Sequence, residues 1–382
     1  MKPSSLMIVS LVVGCNSSKQ DIDDSRCAYP MTLCTIAGTG TGGYNGGGDS
    51  DPPVNVTETQ LRDPTAIVED PDGRLIVSDA GNYLIRRLED NRLMNVVGRN
   101  ANSAATSGDA STTTLSFVVD MDFGADGRLG ILEGVGRQLS WVDLEVGELT
   151  VHASAALESQ EGWNRAEVTA LEEIKLTKPS STAIDGDGNI YLADAGEDVN
   201  MILKITPDGS VTKVAGVGED GYPVAATPSN PEADHYRFLS PQGLLWHEGA
   251  LYVADSGRHR IVRVDVDTGE VVNVAGITDA PGYGDGGALL DTKFERPTHF
   301  AFGWDGRLVI SDSGNGVIRA ELMDGTVETI CGRGVGGYDN EPQDPEGASL
   351  GEPFDLLFDI NGDLVFTDRN HAVVRRITQP DW

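Results

Sequence analysis

The chain has 382 residues, 60 of them acidic and 28 basic, for a formal net charge of −32 at neutral pH. Such a surface repels nucleic acid and anionic head groups, which sets nucleic-acid binding aside, whereas a cationic ligand, a divalent ion or a basic protein patch would be drawn in. Acidity also serves solubility, so by itself it identifies no partner.

At the start of the chain one lysine, Lys2, precedes the apolar run Leu6-Met7-Ile8-Val9-Ser10-Leu11-Val12-Val13. The run is too short to span a bilayer, so residues 1–14 read as a signal peptide. Gly14-Cys15 resembles a bacterial lipoprotein cleavage site, which makes Cys15 the expected lipidated first residue of the mature chain. Acyl chains contribute about 0.8 kcal/mol per buried methylene, enough together for a durable anchor. Asn16 after the cysteine favours the outer membrane by the same analogy, so the expected address is the bacterial cell envelope. Residues 15–31 form a polar tether. In an oxidising compartment Cys27 and Cys34 are close enough in sequence to bridge, while Cys331 is expected to be a buried, unpaired small residue.

From Thr32 onward one phrase recurs every 50–60 residues, most clearly at Leu176–Gly216. A period of that length made of short strands and Gly/Asp turns is a repeat architecture. The orphan strand Thr32–Gly38 comes first. Each repeat then opens with Pro and a mixed apolar run, as in Pro64-Thr65-Ala66-Ile67-Val68, followed by a turn such as Asp70-Pro71-Asp72-Gly73. The second strand is apolar on consecutive positions (Leu75-Ile76-Val77, Leu251-Tyr252-Val253), which implies burial on both faces. A third strand (Ile202-Leu203-Lys204, Ile261-Val262-Arg263) and a fourth ending in Val-Ala-Gly complete the unit. Asp79, Asp194, Asp255, Asp312 and Asp368 close the second strand, with Glu133 in a degenerate second copy. The count predicts an all-β, six-bladed propeller of four-stranded blades over residues 32–382, whose last blade is completed by the N-terminal strand.

The combination of Val-Ala-Gly, a Gly-rich loop with Gly-Tyr or Gly-Trp, Leu-x-x-Pro, Asp-Gly and a Ser/Ala-Asp-x-Gly turn resembles the NHL-repeat propellers, especially long bacterial extracytoplasmic versions. The resemblance implies a binding or scaffolding module more often than an enzyme, and fold alone gives no activity.

Several attractive motifs are absorbed by the repeat. Asp185-Gly186-Asp187-Gly188-Asn189 occupies the hairpin-turn position and lacks the closing glutamate of a calcium loop. The two GxGxxG runs beginning at Gly38 and Gly332 do not open helices, so they are blade-to-blade loops. The aromatics that follow such loops (Tyr44, Trp163, Tyr222, Tyr283, Tyr338) are expected to pack between blades. Arg86, Lys204, Arg263, Arg319 and Arg375 sit at one repeat position on the third strand and are expected to pair with the aspartate of their own blade.

Two residues after the repeat proline, three blades carry small residues (Ala66, Ser181, Gly243) and three carry Asp120, His299 and Asp355. Carboxylates and imidazole are metal-ligating types not required by the fold, so these three are the candidate ligands of a divalent ion in the central channel. The bland alternative is a polar, water-filled channel. Two functions remain in play. One is a lipid-anchored, monomeric binding module that engages a protein, glycan or peptide on its loop face. The other is a metal-assisted lyase or lactonase-like hydrolase working at the channel mouth through Asp120, His299 and Asp355.

Overall fold

A computed structural model of the protein describes residues 31–46, 54–154, 169–170, 176–196, 200–216, 238–334, 337–338 and 344–378. The signal-peptide, tether, Cys15 and Cys27 readings, together with Trp163 and Tyr222, lie outside those residues. Six antiparallel sheets form the ring, five built on four consecutive strands and the sixth on the last three strands of the chain together with the N-terminal one. In the first blade these are Pro64–Glu69, Leu75–Asp79, Leu84–Glu89 and Arg92–Val97. The second strand is buried at every position in five of the six blades, because each sheet is packed against a neighbour on both faces.

Closure occurs as the sequence predicts. Leu33–Ala37 lies beside Val373–Ile377 as the outermost main strand of the sixth blade, with Leu33 opposite Ile377 and Thr35 opposite Arg375. Leu33, Ile36 and Ala37 are buried there. Cys34 is disulfide-bonded, and Cys331 is free and buried.

Four blades carry an addition that the sequence does not announce. Two-residue strands (Val54–Asn55, Gly108–Asp109, Thr169–Ala170, Gly287–Ala288) pair along the outer edges of blades one, two, three and five. These short strands cover outer edge strands that would otherwise invite pairing with other chains.

The recurrent basic residues divide into two groups. Arg86, Arg319 and Arg375 are buried and face the aspartates of their own blades, Asp79 at 3.1 Å, Asp312 at 3.6 Å and Asp368 at 3.1 Å. Tyr44, Tyr283 and Tyr338 lie over these guanidinium groups at 6.0, 5.1 and 5.4 Å. The loop aromatics therefore cap buried arginines. Lys204 and Arg263 do not join this set. They stand opposite Tyr191 and Tyr252, three residues beyond the partner of the blade aspartate, whereas Arg86 is two beyond it. One residue of offset turns a strand side chain to the other face, and in blade four Arg260 pairs with Asp255 at 2.9 Å instead.

Candidate functional site

The carboxylate that ends each second strand fixes the start of the innermost strand of the same blade. Asp79 accepts the Arg62 N–H at 2.7 Å, Asp194 the Lys178 N–H at 2.7 Å, and Asp255 the Leu239 N–H at 2.7 Å. Asp312 takes the Glu295 N–H at 2.7 Å and Asp368 the Glu352 N–H at 3.1 Å. Glu133 does the same for the Ser116 N–H at 2.6 Å, so the degenerate blade keeps the function with a longer side chain. Charge-assisted bonds of this kind are worth roughly 1.5–3 kcal/mol each. Six of them hold the residues around the top of the channel in place.

There the innermost strands and the second-to-third-strand turns surround a cavity of about 880 Å³ with contributions from all six blades. Both kinds of segment open on one face, as strand alternation requires. The residue immediately after the repeat proline, or its counterpart in blade two, lines the cavity in every blade: Thr65, Val119, Ser180, Gln242, Thr298 and Phe354. Hydroxyls at this level tie neighbouring blades together. Ser180 donates to the Pro241 carbonyl at 2.7 Å and Thr65 to the Val118 carbonyl at 2.7 Å, while Ser256 and Ser313 donate to Pro297 and Pro353.

The cavity reverses the charge of the chain. Its charged lining residues are Lys178, Arg296, Arg369 and Glu352, three basic against one acidic, in a protein whose acidic residues outnumber basic ones by 60 to 28. Lys178 and Arg296 are exposed, and neither side chain is paired with a carboxylate among the described residues. Arg369 lies over the rings of Phe117 and Phe354, at 5.8 and 5.4 Å, with Glu352 4.0 Å away. The expectation that net acidity draws a cation does not carry over to this mouth.

The residues singled out in the sequence stand one position further along the same strands, and they bridge blades. Asp120 accepts the Ser181 hydroxyl at 2.5 Å and the Thr182 N–H at 2.7 Å from blade three. Asp355 accepts the Ile67 N–H of blade one at 2.8 Å. Where the position is Gly243, the backbones meet directly, Gly243 N–H to Thr298 carbonyl at 2.8 Å. His299 is packed against Phe354, ring centroids 4.8 Å apart, and among the described residues neither ring nitrogen meets a hydrogen-bond partner of good geometry. Burial holds it neutral, its pKa lowered to about 3. Among the described residues no group of three His, Cys, Asp or Glu side chains is placed to hold a metal ion. His371, a histidine at the same face of the ring, lies 2.9 Å from Asp368.

Burial raises Asp120 to about 6, and raises Asp355 well above the ordinary range with further help from the Asp120 charge. A carboxyl whose pKa is higher folded than unfolded binds more protons in the native state, so its contribution to stability is full below its unfolded pKa near 3.8 and is lost as pH rises through about 6. Asp120→Asn is therefore expected to flatten the pH dependence of stability across that interval, both by removing this titration and by lifting the Asp120 charge that raises Asp355. Urea midpoints of both proteins at several pH values measure it. Parallel curves would show that Asp120 titrates normally.

No protein-family profile matches the chain. Human Teneurin-1 is 26% identical over 204 residues, covering 48% of this chain and 7% of the teneurin. This chain thus spans a small part of that relative's length. An auxiliary nutrient binding protein from Bacteroides thetaiotaomicron superposes with a TM-score of 0.62 at 14% identity, covering 90% of this chain and 75% of that one. Virginiamycin B lyase from Staphylococcus aureus gives 0.50 at 15%, covering 86% and 98%. At such identities these likenesses show the shared propeller fold and nothing of its chemistry.

Proposed function

We propose that the protein is a binding module of the bacterial cell envelope, lipid-anchored through Cys15, which engages its ligand at the centre of the loop face. The observation that carries this reading is the cavity of about 880 Å³ to which every blade contributes. Its size falls within the usual range for small-molecule sites, and it combines apolar and polar walls as such sites do. The nutrient-binding and lyase propellers lend the idea plausibility without deciding between binding and catalysis.

Filling the cavity tests it. Gln242 lines the site and makes only a 3.5 Å contact to Ser240, so Gln242→Trp should occupy the space without unfolding the ring. Ligands that raise the melting temperature of the wild type are expected to lose that effect in the variant. Equal shifts in both proteins would place binding elsewhere. The anchor has its own test: Cys15→Ser should release the protein from membranes or block its processing, and a fully membrane-bound variant of normal size would contradict it.

A metal-assisted lyase or lactonase is the second reading, favoured by buried His299, neither of whose ring nitrogens meets a hydrogen-bond partner of good geometry among the described residues. It requires Asp120 and Asp355 to leave backbone and hydroxyl donors that they now accept. The binding reading predicts no stoichiometric divalent metal in the purified protein. One tightly held ion per chain, lost with the triple substitution of Asp120, His299 and Asp355 by Ser, would establish the enzyme reading instead.

A further inference from the structure

The two sides of the cavity differ in chemistry. One wall, from blades two and six, carries Phe117, Val119, Val135 and Phe354 together with Arg369 and Glu352, which lie 4.0 Å from each other, and the opposite wall, from blades three to five, carries Lys178 and Arg296 among Ser180, Gln242, Ser256 and Thr298. The hydroxyl protons on that second wall are already committed. Ser180 donates to the Pro241 carbonyl at 2.7 Å and Ser256 to the Pro297 carbonyl, while the Thr298 hydroxyl is engaged with that of Ser313 at 2.5 Å. Their oxygens are left as acceptors, which calls for a ligand that brings its own donors. Lys178 and Arg296 have no carboxylate among the described residues, so they call for an oxyanion. Val119 and Val135, with half-buried Phe117 beside them, offer an apolar surface for the carbon–hydrogen face of a ring.

We infer that the ligand is an acidic sugar unit: a hydroxyl-rich ring whose carboxylate or sulfate meets Lys178 and Arg296, whose hydroxyls donate to the Ser180 and Ser256 oxygens, and whose apolar face lies on Phe117, Val119 and Val135. The inference rests on the cavity being the ligand site. It adds what the sequence obscured, that an acidic protein presents a basic mouth.

Titration calorimetry on the full mature chain decides it, with galacturonate, glucuronate and sulfated galactose oligomers as probes and neutral galactose oligomers of equal length as controls. At least one acidic probe is expected to bind about tenfold or more tighter than its neutral control, with the difference shrinking as salt is added. Its identity as uronate or sulfate separates the two oxyanion sources. Lys178→Gln with Arg296→Gln should remove that advantage, Lys178→Arg should retain it, and Phe117→Ala should weaken acidic and neutral sugars alike. An unchanged melting curve of the double variant, whose substituted residues are exposed, certifies its fold. Equal binding of acidic and neutral sugars, or no binding of any acidic probe, overturns the inference. If neutral sugars bind equally well and Gln242→Trp abolishes that binding, the acidic-sugar inference fails while the cavity reading stands. Binding that persists in Gln242→Trp fails both.

Discussion

A chain that begins at Thr39 is expected to lose cooperative unfolding. The excised segment removes the strand Leu33–Ala37 from the sixth blade and with it the buried side chains of Leu33, Ile36 and Ala37. Burial of these side chains is worth about 5 kcal/mol, a large share of the roughly 5–15 kcal/mol by which ordinary domains are stable. The loss also bares the edge of Val373–Ile377, which now pairs through Leu33, Cys34 and Thr35. A bare edge invites aggregation. Thermal unfolding followed by circular dichroism measures the effect, and a peptide of residues 31–40 added in trans should restore part of the transition. An unchanged melt would contradict the shared sixth blade.

Asp79→Ala should cost about 3–5 kcal/mol, the usual consequence of leaving a buried charge without its partner. Arg86 and Asp79 are both 0% exposed. The substitution strands the guanidinium and also releases the Arg62 N–H and the Asn82 amide that Asp79 accepts. Replacing both partners with Asp79→Leu and Arg86→Met removes the unpaired charge, so the double variant should recover much of the loss. Arg263→Ala, at an exposed position one residue out of register with Arg86, should change stability by less than about 0.5 kcal/mol. Chemical denaturation of the four proteins reads these differences. A cost at Arg263 comparable to that at Asp79 would mean that the assigned faces are wrong.

Those two basic positions show where sequence reading reaches its limit. Blade number, turn positions and ring closure were legible because they depend on local chemistry: Asp-Gly turns, consecutive apolar residues, and the carboxylate that ends the second strand. Register was not. Lys204 and Arg263 read as equivalents of Arg86, but with a side-chain period of two a one-residue misalignment reverses the face. The innermost strands compound the difficulty. Their pairing shifts between Pro64 and Ile67, between Val118 and Asp120, and between Pro179 and Ser181. Asp120, His299 and Asp355 stood out because charge and imidazole are conspicuous in a column otherwise small, whereas the cavity is lined by the preceding column, beginning with Thr65 and ending with Phe354. The residue just before each proline was a usable signal, since Lys178, Arg296 and Glu352 all fall there. Bulk charge hid it, and nothing in a two-residue strand such as Val54–Asn55 could have revealed the covered outer edges.

The most direct measurement of the central claim is hydrogen–deuterium exchange of the protein with and without galacturonate and sulfated galactose oligomers. The account predicts added protection in segments 116–119, 177–180, 239–242, 295–298 and 351–354, the starts of the innermost strands that line the cavity. Protection confined to the opposite turns at 70–74 and 359–363, or to the outer strands, would contradict it.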